Sequence, residues 1–263
     1  MKTSYVLSLL ATIFAAVASA AGLFIPDLYH DNDFVRTVWQ GNDAVTLVLV
    51  IPAMGLTLWR AGKGSLRARL IWMGLLLYLL YNYAFYLFGA LFNAAFLLYA
   101  AVFSLSIFGL IYGLSTLPDF EIQLKSKAVR WVAGYLLLIA IILLMVEFIP
   151  AVRYIFTRET PEIILSTEHP TSVVYGLDLP IVVPLSVLAA VWFWRQRKWG
   201  YVLAVMMLVK GATYGAVLVV NTLWLRINQT GDDPLLPFYL FIALGGLIGL
   251  GHVLRAATIK TTI

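Results

Sequence analysis

Apolar residues gather into eight long runs separated by short polar stretches, at about 4–25, 44–59, 70–89, 94–117, 131–149, 173–194, 201–225 and 238–254. None of the runs alternates with period 2, and most approach about 20 residues, the length that crosses a hydrocarbon core as a helix. Gly41-Asn42-Asp43 reads as a helix N-cap ahead of the second run, and Trp59-Arg60 as its interfacial end. The third and fourth runs, joined at 90–93, are too long together for one crossing and read as a helical hairpin. Met1-Lys2-Thr3, an apolar run and Ala18-Ser19-Ala20 before Ala21 resemble a cleavable signal. The apolar stretch continues through Gly22-Leu23-Phe24-Ile25 to a spanning length, which favours a retained helix. The expected fold is therefore all-α: a single polytopic domain over 1–263, a bundle of eight transmembrane helices, or seven if the first is cleaved.

Composition agrees with this pattern. Of 263 residues, 62% are hydrophobic and 12% charged, and the mean hydropathy is +0.92. A water-facing surface cannot be assembled from so few charges, so the expected surroundings are the lipid bilayer. Cysteine is absent, which removes disulfides, thiolate catalysis and cysteine metal sites. The net charge of +5 does not point to nucleic acid, because no basic face interleaved with aromatics exists.

The cations lie instead beside the apolar runs. With the amino terminus inside, the inner side collects Lys2, Arg60, Lys63, Arg67, Arg69, Lys125, Lys127, Arg130, Arg195, Arg197, Lys198, Arg255 and Lys260. The outer side holds only Arg36, Arg153, Arg158 and Arg226. This thirteen-to-four bias places both termini in the cytoplasm. Acidic residues favour the outer loops, among them Asp27, Asp31, Asp33, Asp43, Glu159 and Asp232. Loop lengths point to two parallel four-helix halves, with Trp59-Arg60 closing the second helix much as Trp194-Arg195 closes the sixth.

Between residues 41 and 106 lie Gly41-Asn42-Asp43, Pro52, the basic loop ending Gly64-Ser65-Leu66-Arg67, and Tyr81-Asn82-Tyr83-Ala84-Phe85-Tyr86. Phe88-Gly89, Phe92-Asn93, Phe96-Leu97-Leu98-Tyr99 and Phe103-Ser104-Leu105-Ser106 follow. This stretch resembles a prokaryotic family of uncharacterised multi-spanning membrane proteins, in which Gly-Gln-Asp often stands where this chain has Gly41-Asn42-Asp43. The resemblance covers about a quarter of the chain, implies a bacterial or archaeal cytoplasmic (inner) membrane, and brings no activity with it.

Ionisable residues inside spans carry the candidate chemistry, since charge in hydrocarbon faces a cavity or a partner. Lys210 lies about ten residues into the seventh run, with Tyr214 and Asn221 continuing its face and Gly211 and Gly215 adjacent. Asp178 enters the sixth run ahead of Pro180 and Pro184, prolines that free carbonyls and bend the helix. Glu147 sits one turn from the expected end of the fifth. One reading gathers Lys210, Asp178 and Glu147 around a polar cavity for an ion, proton or small substrate. The other pairs Lys210 with Asp178 structurally and leaves Glu147 at headgroup level.

A second polar stripe, Tyr78, Asn82 and Tyr86 at i, i+4 and i+8, reads as an aromatic or quinone-contacting wall or as interhelical hydrogen bonding. In the eighth run Gly245-x-x-x-Gly249 reads as close helix packing. His30, His169 and His252 lie too far apart in the chain for a haem pair or zinc site. No nucleotide loop, HExxH or Gly-x-Ser-x-Gly occurs, so no catalytic residue, metal or cofactor is expected. The function classes left are a small-solute or ion transporter, a membrane sensor or assembly protein with a membrane-protein partner, and a lipid- or quinone-acting enzyme.

Overall fold

In the computed structural model, which describes residues 2–124 and 126–261, eight helices are long and apolar enough to cross a membrane. The chain is an all-α, multi-pass membrane protein. Of the expected inner cations, Lys125 lies outside the described residues. In chain order the helices are α1 (Lys2–Phe24), α2 (Asp33–Val45), α3 (Ile51–Gly62), α4 (Leu66–Gly89) and α5 (Phe96–Ser115). After strand β1 (Phe120–Leu124) come α6 (Ser126–Thr157), α7 (Glu162–Thr167), α8 (Val173–Leu177), α9 (Val183–Trp194), α10 (Lys198–Asn228) and α11 (Leu236–Ala256), then β2 (Ala257–Thr261). The two strands, which hydropathy did not reveal, pair antiparallel with Phe120 opposite Thr261.

Two spans are not continuous α-helices. α2 and α3 are joined by a π-helical turn, Thr46–Val50, and α8 and α9 by another, Asp178–Val182. Proline explains both. Pro52 and Pro184 stand in the first turn of α3 and α9, and a proline there has no N–H to give and crowds the carbonyl four residues back. That carbonyl belongs to Val48 in one span and Pro180 in the other, each the middle residue of its π turn. The wider turn relieves the clash. Apart from the short α7, the element order of a long helix, a π-stepped helix, two further helices and a strand occurs twice.

By contact density the chain forms two compact units. The first comprises 1–119 and 209–247, the second 120–208 and 248–263. In the first, α1 lies along α5 through small and hydroxyl side chains. Ser4 Oγ donates to the Gly109 carbonyl at 2.8 Å, while Ser8 and Thr12 bond back to carbonyls one turn earlier. Arg69, expected among the topology charges, is buried and donates to the Gly113 carbonyl and to Thr116. A Cβ at Gly215 would fall 2.7 Å from the Ala243 backbone, and one at Gly246 2.9 Å from that of Ala212, so small residues set the approach of α10 and α11. In the second unit α6 packs against α9, and Trp131 stacks on Tyr135 and on His252.

Two expected boundaries are corrected. The second span starts at Asp33, capped by Asn32, whose side chain accepts from the Val35 amide, not at Gly41-Asn42-Asp43. Asn42 and Asp43 are thus inside a helix, and Asp43 is not a loop acid. The fifth span runs through Pro150 to Thr157. Glu147 therefore lies about 15 Å, not one turn, from its end at 1.5 Å per residue, and the expected outer loop from Pro150 begins as helix.

Candidate functional site

The first unit encloses a set of polar side chains whose centre is Asp43, 1% exposed. Its Oδ2 accepts from the Tyr29 hydroxyl at 2.5 Å, and its Oδ1 from the Tyr86 hydroxyl at 2.9 Å. Ser19 also acts on the carboxyl. Gly22 makes room for this arrangement: a Cβ there would fall 1.9 Å from Asp43 Oδ2 and 2.4 Å from the Tyr29 oxygen. α1, α2, α4 and the segment between α1 and α2 thus converge on one carboxyl.

α4 supplies the scaffold. The stripe Tyr78, Asn82 and Tyr86 faces the π-stepped span rung by rung. Tyr78 shares a hydrogen bond with Thr46 (2.7 Å), Asn82 accepts from the Asn42 amide (3.2 Å), and Tyr86 also reaches the Trp39 carbonyl (3.0 Å). The spacing of four residues on α4 matches the successive turns at Thr46, Asn42 and Trp39. From α10, Asn221 extends the amide row to Asn42 at 2.8 Å, where Gly41 admits it; a Cβ at Gly41 would lie 2.1 Å from Asn221 Oδ1. With O and N exchanged, the Asn221 amide nitrogen instead donates to the Val38 and Val217 carbonyls at 3.3 Å each, and its oxygen faces Asn42.

Aromatic rings wall the site. Tyr86 lies against Trp39, Tyr99 and Tyr29 with ring centroids 4.7, 5.0 and 6.2 Å apart. Tyr83 completes the group, its hydroxyl donating to the Ala15 carbonyl and lying 3.3 Å from Ser19. Trp39 Nε1, the Tyr99 hydroxyl, Asn82 Nδ2 and Asp31 Oδ2 are buried without a hydrogen bond of full geometry. Burial, and then the neighbouring Asp43, hold the Tyr29 phenol well above its ordinary titration range, so it stays a donor.

The residues singled out from sequence divide between the units. Lys210 is buried in the first, its Nζ 3.7 Å from the centroid of Tyr81 and 4.9 Å from that of Tyr214, a cation over aromatic faces. Tyr214 in turn packs on Tyr78 and Tyr81. Asn221 joins the Asn42 row. Asp178 and Glu147 belong to the second unit, and both are buried. Asp178 Oδ1 lacks a hydrogen-bond partner, and Glu147 is close enough to Tyr175 to act on it electrostatically. Among the described residues no cluster of three His, Asp or Glu side chains is placed to hold a metal ion.

Asp43, Asn42, Trp39 and Tyr29 do not stand out as site residues in the sequence. The signal present in the sequence is the spacing of Val35, Trp39, Asn42 and Thr46 at i, i+4, i+7 and i+11, one helical face through a segment whose polarity resembles a loop. No family model, curated protein or solved structure matches the chain, so the functional reading rests on geometry.

Proposed function

We propose that the chain is an ion or small-solute transporter, with the Asp43 cluster as its intramembrane polar site. The observation that carries this reading is the pair of spans broken at corresponding places in the element order, each bearing a buried acid, Asp43 or Asp178, at or beside its π turn. Discontinuous helices in matching positions of two repeats commonly mark the binding region of secondary transporters, and intramembrane acids mark ion and proton paths. The charge bias would place the Tyr29 side of the first unit outside, in a prokaryotic cytoplasmic membrane.

The test is flux into liposomes that contain purified protein and a trapped pH dye, under imposed voltage and pH gradients, alone and with small cations, amino acids or sugars added. The expected result is a protein-dependent flux that is largely lost in Asp43→Asn. Flux equal to that of protein-free vesicles under every condition overturns the reading. The full enclosure of Trp39, Tyr83 and Tyr86 favours a second reading, a sensor or assembly protein in which the cluster is structural. Tight vesicles together with a membrane partner that co-purifies in stoichiometric amount support that one.

A further inference from the structure

We propose that Asp43 is a proton-binding carboxyl that exchanges with water at the Tyr29 end of the first unit, through the hydroxyls of Tyr29 and Tyr99. The inference deepens the transport reading, on which it rests for its purpose, by naming the ligand and its route. Asp43 is held by hydroxyls from three directions: Tyr29 before α2, Tyr86 on α4 and Ser19 on α1. Other titratable groups acting in the cluster are Tyr78 and Tyr83 on α4, Tyr99 on α5, and Asp31. Among the described residues no Lys or Arg pairs with Asp43. A proton is then the ion that can balance its charge without a change of partners. Ionised, the carboxyl accepts both phenols; protonated, it donates to one of them.

Three branches leave the carboxyl, and two end blind. Tyr86 leads to the Trp39 carbonyl, and Ser19 leads through Tyr83 to the Ala15 carbonyl. A helix carbonyl accepts a hydrogen bond but has no proton to pass on. The Tyr29 branch continues. The rings of Tyr29 and Tyr99 both stack on Tyr86, at 6.2 and 5.0 Å, and the Tyr99 hydroxyl is within electrostatic reach of Tyr29, Asn93 and Asp31. Asp31 in turn is anchored by the Leu91 amide at 3.1 Å, keeps Oδ2 without a partner, and adjoins the exposed His30. Because the Tyr99 hydroxyl has no bond of full geometry, the links from Tyr29 to Tyr99 and from Tyr99 to Asp31 are both open, and transfer needs the Tyr99 side chain, or a water beside it, to close them. In transfer, the Asp43 proton passes to the Tyr29 oxygen, the Tyr29 proton to Tyr99, and the Tyr99 proton to Asp31. Both phenols end as they began, and one proton has moved from Asp43 to Asp31.

Infrared difference spectroscopy on the purified full-length protein in lipid nanodiscs tests this without measuring flux. A protonated-carboxyl band absent from Asp43→Asn identifies the group, and its shift after transfer to heavy water times the exchange. Tyr29→Phe and Tyr99→Phe should each slow that exchange about tenfold or more, the scale of one lost strong hydrogen bond. Tyr86→Phe, on a blind branch, should leave the rate near that of the parent protein. Tyr99 does not touch the carboxyl, so its variant carries the test if Tyr29→Phe fails to fold. The proposal is overturned if no pH yields an Asp43-dependent band, if Tyr29→Phe speeds exchange, or if Tyr86→Phe slows it as much. Exchange as expected with liposomes that carry no flux would sink the transport reading and leave this one standing.

Discussion

The two π-stepped spans share one backbone device and differ in what surrounds it. In 33–62 the helix steps at Thr46–Val50 and its buried acid, Asp43, is met by phenols on both oxygens. In Val173–Trp194 it steps at Asp178–Val182, and the acid that opens the turn keeps Oδ1 buried and unbonded. The step follows from proline and would form with either set of neighbours. The chemistry follows from neighbours that α4 and the Tyr29 segment bring to one span. A broken helix is thus a frame, and the side chains set against it decide whether its acid is met by hydroxyls on both oxygens or keeps one oxygen unsatisfied.

The sharpest break of this comparison is removal of each acid. Asp43→Leu strands the buried Tyr29 phenol and leaves Tyr86 only the Trp39 carbonyl, and should cost about 2–4 kcal/mol: about 1–3 kcal/mol for the unsatisfied phenol and about 0.5–1.5 kcal/mol for the lost Tyr86 bond, less what the leucine regains. Asp178→Leu removes an unbonded acceptor and should change stability by less than about 1 kcal/mol, or raise it. Thermal unfolding in detergent measures both. Equal losses would show that the second acid is as well satisfied as the first.

Glycine sharpens it next. Gly22→Ala drives a methyl into Asp43 and Tyr29 and should cost about 1–3 kcal/mol. Gly134 in α6 has nothing within 4 Å of its Cβ position. Gly134→Ala should therefore be neutral or add up to about 1 kcal/mol from helix propensity. The same unfolding assay decides, and a neutral Gly22→Ala would mean that the Asp43 site has slack.

The smallest effect is electrostatic and belongs to the loop after α10. The hydrogen bond from Arg226 Nε, 2.6 Å, holds the Asp232 carboxyl below its usual range. A depressed folded value means that the contribution is present above the unfolded value, about 3.9, and is lost as pH falls through the folded value. Both partners are exposed, so the effect is local. Amide hydrogen exchange over 229–235, taken relative to the intrinsic base-catalysed rate at each pH, should quicken on acidification in the parent protein. In Asp232→Asn it should be quick already and change less with pH; an unchanged acid response in the variant would refute the assignment.

Much of this fold is legible in hydropathy, because lipid imposes a long apolar run on every crossing helix. Each of the eight spans overlaps one of the runs, two of them extending well beyond it, and Pro184 behind Pro180 announces a disturbed helix. The stripe Tyr78, Asn82 and Tyr86 is legible too, since spacing by four residues is a property of the helix itself. Asp43 is not. Asp33, Arg36, Asn42 and Asp43 look locally like a loop, and only partners distant in the chain, Tyr86 and Asn221, make Asn42 and Asp43 tolerable inside a bundle. Glu147 was placed too near a helix end for a related reason: Pro150 stops most helices, yet α6 continues past it.

The β1–β2 ribbon carries a consequence for the order of events during synthesis. Its strands are separated by more than half the chain, so β1 leaves the ribosome long before residues 257–261 exist. Until then its backbone presents an unpaired edge at the end of α5, open to any extended segment nearby. Contacts so distant in sequence form late. Pairing of Phe120 with Thr261 thus serves as a clasp that fastens only after α11 has been made.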